Sequence, residues 1–175
     1  MAELEELLPS ILFGELTEQL ARVGQLDLGI KNLEQRIAAW CKQDPGCQAI
    51  LAVPGIGVLT ATALVATIGD ANSFKSGREL AAFIGLVPKQ SGTGGLVRLG
   101  SISKRGEPYL RTLLIHGARA VAFTAKNKTP WAESLLERRP TNVAVVGMAN
   151  KMTRTVWAVL AHTRQYKRDY ASMAA

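Results

Sequence analysis

Cysteine, histidine and aromatic residues are scarce in this sequence, and each scarcity excludes a class of protein. The two cysteines, Cys41 and Cys47, are too few for a disulfide framework, and the two histidines offer no spacing typical of a metal site. No apolar run approaches the ~20 residues of a membrane span. The first residues are acidic where a signal peptide would be basic. We therefore expect a cytoplasmic protein with no membrane segment.

The sequence is rich in aliphatic residues instead. It is 47% hydrophobic and 20% charged, which is enough apolar material for a folded core. Aromatic residues make up only 6%, while alanine and leucine dominate, and this composition favours helices. A length of 175 residues suits one domain, or one domain with an appendage. No internal repeat and no alternation of strands with helices is visible, so the expected fold class is all-α.

Positive charge is unevenly distributed along the chain. The whole sequence carries 21 Lys and Arg against 14 Asp and Glu, a net charge of +7. Residues 1–50 hold 8 acidic and 4 basic side chains, whereas residues 51–175 hold 6 acidic and 17 basic ones. A polyanion such as DNA or RNA is the partner that this asymmetry favours for the second part. The alternative is a solvated basic surface.

The first ~40 residues show the spacing of an amphipathic helix. Apolar residues recur at steps of three and four, nearer 3.5 than 3.6, which is typical of a coiled coil or a helical hairpin. A break near Gly24 and Gly29 is one option, and packing of the helix on its own domain is another. We expect residues 1–44 to form coiled-coil or linker helices that support a homo-oligomer. The apolar positions are Leu12, Leu16, Leu20, Val23, Leu26, Ile30, Leu33, Ile37 and Trp40.

Capping residues divide residues 45–170 into further helices. Pro45 opens a short helix, and Gly69 ends the next one. Ser76 with Glu79 forms a capping box before a third helix that stops at Gly85. Later helices are predicted over 108–126, 129–137 and 142–166, with a frayed tail at 171–175. Residues 86–106 are expected to form a long glycine-rich polar loop, with a short strand within 96–99 left open.

The segment 50–61 resembles a helix-hairpin-helix motif. Gly55 and Gly57 permit a tight turn, and the helix that follows begins with unpaired N–H groups and a positive dipole end that favour phosphate. Main-chain contacts carry no sequence information, so Gly55, Ile56 and Gly57 are candidates for binding the DNA backbone. An ordinary tight turn between two helices is the alternative.

The glycine-rich loop carries hydroxyl groups close to cations. No Gly-Lys-Ser/Thr ends it, so it is not a Walker loop. A hydroxyl among cations suits attack on a phosphodiester, because Lys and Arg stabilise the charge of the pentavalent transition state. The alternative is a flexible solvated loop. The candidate phosphate-binding residues here are Lys89, Arg98, Lys104 and Arg105.

Two later helices carry polar residues at neighbouring positions that could line the same basic groove. They are Arg111, His116 and Arg119 on one helix, and Asn150, Lys151 and Arg154 on the other. Capping and surface solvation are the alternatives for both groups. His162, Arg164, Lys167 and Arg168 are interpreted as charges that complement the dipole at a helix carboxyl end.

An ordered series of motifs resembles the C-terminal domain of the IS110/IS1111 insertion-sequence transposases. The resemblance covers about residues 48–170, and residues 1–45 are similar, less specifically, to the coiled-coil linker of that family. The matching segments are 54–57, 60–61, 74, 80–88, 92–95, 98–100, 102–106, 109–114, 116–120 and 150–152.

The resemblance implies a DNA recombinase that cuts and rejoins strands. Members have an N-terminal RuvC-like domain with four acidic residues that bind Mg²⁺, and a C-terminal domain that supplies a serine nucleophile. Members that have been studied also use a structured guide RNA. No such acidic domain precedes residue 1, so we expect no cofactor in this chain and an incomplete enzyme. DNA, and a guide RNA in addition, are the implied partners in a prokaryotic nucleoid.

The resemblance assigns the nucleophile only by position. Related loops carry Ser-Ser-Gly-Gly or Ser-Thr-Gly-Gly, and a match without gaps places Gly92 where the first serine stands. Ser91 lies one residue away and is the predicted nucleophile, with Thr93 as the alternative and Ser101 and Ser103 as further candidates. Two other functions stay open at this point: a non-catalytic helix-hairpin-helix module that binds DNA, and a regulatory fragment that dimerises.

Overall fold

The computed structural model describes residues 8–93, 96–125 and 128–167 and is mostly helical, as the sequence predicts. No helix in these ranges is long and apolar enough to cross a membrane. The elements are α1 (Ser10–Gln43), α2 (Pro45–Leu51), α3 (Val58–Ile68), a 3₁₀ turn (Ala71–Ser73), α4 (Gly77–Phe83), β1 (Pro88–Thr93), β2 (Leu96–Ile102), α5 (Pro108–Thr124), α6 (Pro130–Arg138) and α7 (Thr141–Ala161).

The chain divides into two compact units, residues 1–40 and 41–175. The described part of the first unit is helical from Ser10 onward, and α1 runs without a break at Gly24 or Gly29. A Cβ added at either glycine would meet no atom within 4 Å. The helical-hairpin alternative is therefore wrong for these residues, and the apolar stripe, apart from the partly buried Ile37, lies exposed along one continuous helix. A coiled coil stays a prediction.

Most helix starts in the second unit lie where the sequence predicts them, because a polar side chain caps each one. Asp44 Oδ1 accepts a hydrogen bond from the N–H of Cys47 at 2.7 Å. Ser76 Oγ accepts from the N–H of Glu79 at 3.3 Å, while Glu79 Oε2 accepts from the N–H of Lys75 at 2.6 Å. Thr129 caps α6 in the same way.

Helix α7 forms the centre of the second unit. It packs against α2, α4, α5 and α6. Its buried face carries Ala149 and Val156, and α5 contributes Leu110 and Leu114, all of them fully buried. Trp157 Nε1 donates to the carbonyl oxygens of Ala71 and Phe74, both at 3.1 Å, and so fixes the turn between α3 and α4 onto α7.

Within the predicted loop 86–106, β1 and β2 instead form a two-stranded antiparallel hairpin. Strands β1 and β2 pair from Thr93 opposite Leu96 down to Pro88 opposite Ile102, with a bulge near the base. Described residues of both strands are exposed apart from Ile102, which is partly buried against the core. The strands lack a buried face, so no alternation of apolar residues marks them in the sequence.

Helix α7 ends at Ala161, five residues before the predicted end at Tyr166. Thr163 adopts a left-handed conformation with φ 49°, and the N–H of Arg164 donates to the carbonyl of Val159 at 3.2 Å. This closure is typical of a Schellman motif, which normally has glycine at the left-handed position. Arg164 and Lys167 thus lie beyond the carboxyl end of α7, and their interpretation as helix-end charges stays a prediction. Arg168 and the predicted tail 171–175 lie outside the described residues.

Candidate nucleic-acid interface

The turn between α2 and α3 is held against α5 by a contact between two glycines. A Cβ on Gly55, whose φ is +88°, would lie 2.7 Å from the carbonyl oxygen of Gly117 and 2.8 Å from the Cε of Met152. A Cβ on Gly117 would in turn meet the carbonyl oxygen of Gly55. Ile56 is buried in the core. Gly55 and Ile56 thus position the turn through packing.

Gly57, like Pro54, is exposed to solvent in this turn. It precedes α3 as an N-cap without a side chain, with φ −94°, and a Cβ there would meet nothing within 4 Å. Val58 and Leu59 in the first turn of α3 are also exposed. The first N–H groups of a helix have no partner inside the helix, so this end offers donors to an anion.

The base of the hairpin is locked to α4 by close backbone contacts. Gly85 has φ +78°, and its carbonyl accepts from the N–H of Lys104 at 3.2 Å. Gly106 has φ +97°, and a Cβ there would overlap the carbonyl oxygen of Phe83. The N–H of Ser103 donates to the carbonyl of Val87 at 2.8 Å. Both ends of the hairpin are therefore fixed on the helical body.

Two predicted groove residues stabilise this base. Arg111 is partly buried, and its Nη1 donates to the carbonyl of Ile84 at 2.9 Å. Asn150 donates through Nδ2 to the carbonyl of Leu86 at 3.1 Å. The guanidinium of Arg111 also lies 2.9 Å from where a Cβ of Gly85 would be. Arg111 thus holds the hairpin, whereas the sequence suggested a direct contact to phosphate.

Ser91 lies directly opposite Arg98 in the ladder. Residues opposite each other in an antiparallel pair project from the same face, so the hydroxyl and the guanidinium share one side of the hairpin. Lys89, two residues from Ser91 on β1, is exposed as well. A Cβ on Gly92 would collide with the carbonyl oxygen of Leu96, so position 92 does not accept a serine in this hairpin. Thr93 pairs with Leu96, but its side chain lies outside the described residues.

The remaining basic candidates fall in separate places. Lys104 and Arg105 are exposed at the hairpin base, and Lys104 holds a φ of 54°, unusual for a residue other than glycine. Arg119 is exposed on α5, where its Nη2 donates to Asn142 Oδ1 at 3.1 Å. Arg154 is exposed on α7, and Gly77 packs against its backbone, so that a Cβ at 77 would lie 2.9 Å from the Arg154 Cα.

Lys151 is partly buried, and its ammonium lies over the ring of Trp131 at 4.0 Å from the centroid. Burial lowers the pKa of this ammonium, and the nearby charge of Arg154 lowers it further. The sequence does not single out Trp131 as a functional residue, because its position after Thr129 and Pro130 only indicates the start of a helix. A cavity beside these residues is also lined by Lys128, Arg164 and Lys167.

No group of three or more His, Cys, Asp or Glu side chains in the described ranges is placed to hold a metal ion. Carboxylates are the ligands that Mg²⁺ prefers, and the six acidic residues after residue 50 are scattered along the sequence. The described residues therefore do not fit the Mg²⁺ that the resemblance assigns to an acidic domain.

Comparison with known proteins gives the family. The model of the transposase IS116/IS110/IS902 family matches residues 47–135. A probable family 20 transposase of Pseudomonas aeruginosa is 49% identical over 159 residues, covering 88% of this chain and 47% of that protein. The transposase for insertion sequence element IS1111A of Coxiella burnetii is 42% identical over 177 residues, covering 93% and 49%. The transposase for IS1328 of Yersinia enterocolitica is 35% identical over 159 residues, covering 89% and 48%.

The matched region contains the turn at 54–57, the whole hairpin and Trp131. The chain spans about half the length of the curated relatives it matches. The family model covers just over half of the 175 residues. The chain belongs to the IS116/IS110/IS902 family of transposases.

Proposed function

We propose that this chain is the serine-bearing domain of an insertion-sequence transposase, which binds DNA and supplies a hydroxyl for strand cleavage and transfer. The single observation that carries the proposal is the pairing of Ser91 with Arg98 on an exposed hairpin whose base is fixed to the core. Membership in a transposase family supports the same assignment.

In this proposal the turn at 54–57 acts as a helix-hairpin-helix that binds the DNA backbone. Gly57 and the first turn of α3 present main-chain donors at an exposed helix end. Phosphate bound by such donors is recognised without regard to base sequence. Gly55 contributes indirectly, because its contact with Gly117 sets the angle of the turn.

The proposed chemistry is a transesterification at Ser91. Its Oγ forms a bond to phosphorus while the bond from phosphorus to one flanking sugar oxygen breaks. The hydroxyl proton passes to solvent, and the departing oxygen takes up a proton. Arg98 lies on the same face and is placed to stabilise charge on the phosphoryl oxygens. Reversal of this step with a new strand end completes the transfer.

DNA is the main proposed partner, a guide RNA is a second one, and the nucleoid of a prokaryotic cell is where the protein would act. We also propose that α1 joins two copies through its apolar stripe. Eight of the nine apolar residues of the stripe, among them Leu26 and Leu33, are at least 44% exposed. Exposure of that extent along one helix face is typical of a surface that a partner covers.

A strand-exchange assay of the Ser91→Ala variant tests whether Ser91 is the nucleophile. The chain is supplied together with an acidic-tetrad domain of the family and an element-end DNA, and the products are resolved on a denaturing gel. We expect Ser91→Ala to abolish exchange, since the attacking oxygen is gone, and Ser101→Ala on β2 to retain it. Exchange by Ser91→Ala at the wild-type rate contradicts the assignment to Ser91, and Thr93→Val is then the variant to test.

Measuring the affinity of the same variants for a duplex distinguishes a loss of catalysis from a loss of DNA binding. Ser91→Ala is expected to bind a duplex as tightly as the wild-type chain. Recovery of a phosphoserine–DNA adduct from the wild type, and its absence from Ser91→Ala, would establish the covalent step. Duplex binding without any adduct or exchange in the wild type would instead identify a non-catalytic DNA-binding module.

A further inference from the structure

A cavity of about 930 Å³ opens beside the helix-hairpin-helix turn. Its walls come from that turn, the end of α5, the start of α6, the middle of α7 and the segment after α7. Val53 and Pro54 line the side that belongs to the turn. This volume lies within the usual range for sites that bury a ligand of roughly nucleotide size.

The lining of this cavity carries several cationic side chains. Lys128, Lys151, Arg154, Arg164 and Lys167 contribute to it, and none of the described lining residues is acidic. The charge of Arg154 already lowers the pKa of the Lys151 ammonium, and an anion that enters relieves this repulsion between like charges. The charge thus favours a ligand that brings at least one phosphate.

Other residues of the lining are apolar or aromatic. Met148 and Met152 are buried in the core, and Val121 on α5 lines the same space. The indole of Trp131 stands at the wall with 37% of its surface exposed, and the ammonium of Lys151 lies over its ring. Flat, polarisable rings are well accommodated by such surfaces, whereas a hydrated phosphate is not.

We propose that this cavity accepts one unstacked nucleotide of a single-stranded segment, with the base beside Trp131 and the phosphate on Lys151 and the neighbouring cations. The inference rests on the proposed function, because it requires that the chain binds nucleic acid. A base inside a duplex is stacked and paired and does not reach such a pocket, so the site selects a single strand or an extruded base.

Fluorescence anisotropy with labelled oligonucleotides of about ten residues tests the proposal. The ligands are oligothymidylate, an abasic chain of equal length and a duplex. We expect oligothymidylate to bind about ten-fold more tightly than the abasic chain, since stacking acts only on bases. Trp131→Ala should remove this preference, and Trp131→Phe should retain most of it. An oligouridylate arm shows whether DNA or RNA is preferred, and either preference supports a nucleotide site.

The Lys151→Gln variant tests whether the positive charge of Lys151 contributes to binding. It should lower the affinity for oligothymidylate more than the affinity for the duplex. Arg138→Gln, at the exposed end of α6, should change both affinities alike. Circular dichroism confirms folding of each variant, and Trp131→Phe and Lys151→Gln keep the test valid if Trp131→Ala does not fold. Equal binding of oligothymidylate and abasic chain by a wild type that still binds duplex overturns the pocket alone. Absence of all binding overturns the proposed function as well.

Discussion

At the residue scale, Gly117 shows how a local preference gives way to packing. It lies inside α5, where glycine is about 1 kcal/mol less favourable than alanine. Periodicity alone therefore gives no reason for glycine at this position. The reason is its contact with Gly55, because a side chain on either residue would enter the backbone of the other.

Gly117→Ala should therefore destabilise the fold although alanine is the better helix former. The added Cβ must displace the turn at Gly55, and we expect a loss of roughly 2 kcal/mol or more. Gly24→Ala is the matched control, since it makes the same change in α1 with no atom within 4 Å of the new Cβ. Urea unfolding followed at 222 nm measures both. A Gly117→Ala chain as stable as the wild type contradicts the contact.

The buried thiol of Cys47 makes the stability of the folded state depend on pH. Burial, together with smaller electrostatic contributions from the neighbouring Cys41 and Asp44, raises the pKa of the Cys47 thiol from 9.0 to about 12. The folded state therefore holds this proton more tightly than the unfolded state does. Its contribution to stability is complete below about pH 9 and is lost as the pH rises towards about 12.

We expect the urea midpoint to fall between pH 8 and pH 10.5, and to fall less in Cys47→Ala than in the wild type. The difference between the two pH profiles isolates this thiol from the lysines and tyrosines that titrate in the same range. Iodoacetamide at pH 8 should label Cys47 only after unfolding, since the side chain is fully buried. Parallel pH profiles for the two proteins would be evidence against the shift.

At the element scale, the sequence is most informative where a side chain determines where a helix begins. Asp44 with Pro45, Ser76 with Glu79, and Thr129 with Pro130 each mark a helix start that the structure reproduces. The end of α7 carries no comparable signal, because Thr163 takes the place usually held by glycine. The hairpin escapes prediction for another reason: its strands are stabilised by contacts at their base between residues about twenty positions apart, such as Gly85 and Lys104.

The charges flanking the stripe of α1 favour a parallel pair of helices. In heptads with Val23, Ile30 and Ile37 at one core position, Arg22 and Arg36 lie on one flank of the seam. Asp27 and Glu34 lie on the other flank. Parallel helices place opposite flanks together, so Arg22 meets Asp27 of the second copy, while antiparallel helices would place like charges together.

Leu26→Asp combined with Leu33→Asp should convert an oligomer to a monomer. Both leucines lie on the stripe, and a carboxylate there would be buried at the seam without a partner. Leu28→Asp is the matched control, because Leu28 is 63% exposed but lies off the stripe. Light scattering after size exclusion gives the mass of each. A wild-type chain that is monomeric at high concentration rules out the seam.

At the scale of the whole molecule, the sequence indicates the family better than it predicts sites. The ordered motifs resemble the transposase family whose model matches residues 47–135, and the excess of cations after residue 50 favours DNA as the proposed partner. The cavity beside Trp131 draws on segments from residue 53 to residue 167, and no local spacing reports that proximity. Arg111 has a role that the sequence does not indicate, since its guanidinium donates to the carbonyl oxygen of Ile84.

The division of charge between the two parts of the chain leads to a prediction about salt. The logarithm of the affinity for duplex DNA should fall linearly with the logarithm of salt concentration, with a slope of about −0.9 for each phosphate neutralised. Arg98→Gln and Lys104→Gln, on the hairpin and at its base, should each reduce the slope by about 0.9. Lys31→Gln on α1 makes the same change of charge in the acidic part and should leave the slope unaltered. Titrations at four salt concentrations measure all three slopes, and an equal reduction in Lys31→Gln would show that binding responds to net charge rather than to the hairpin.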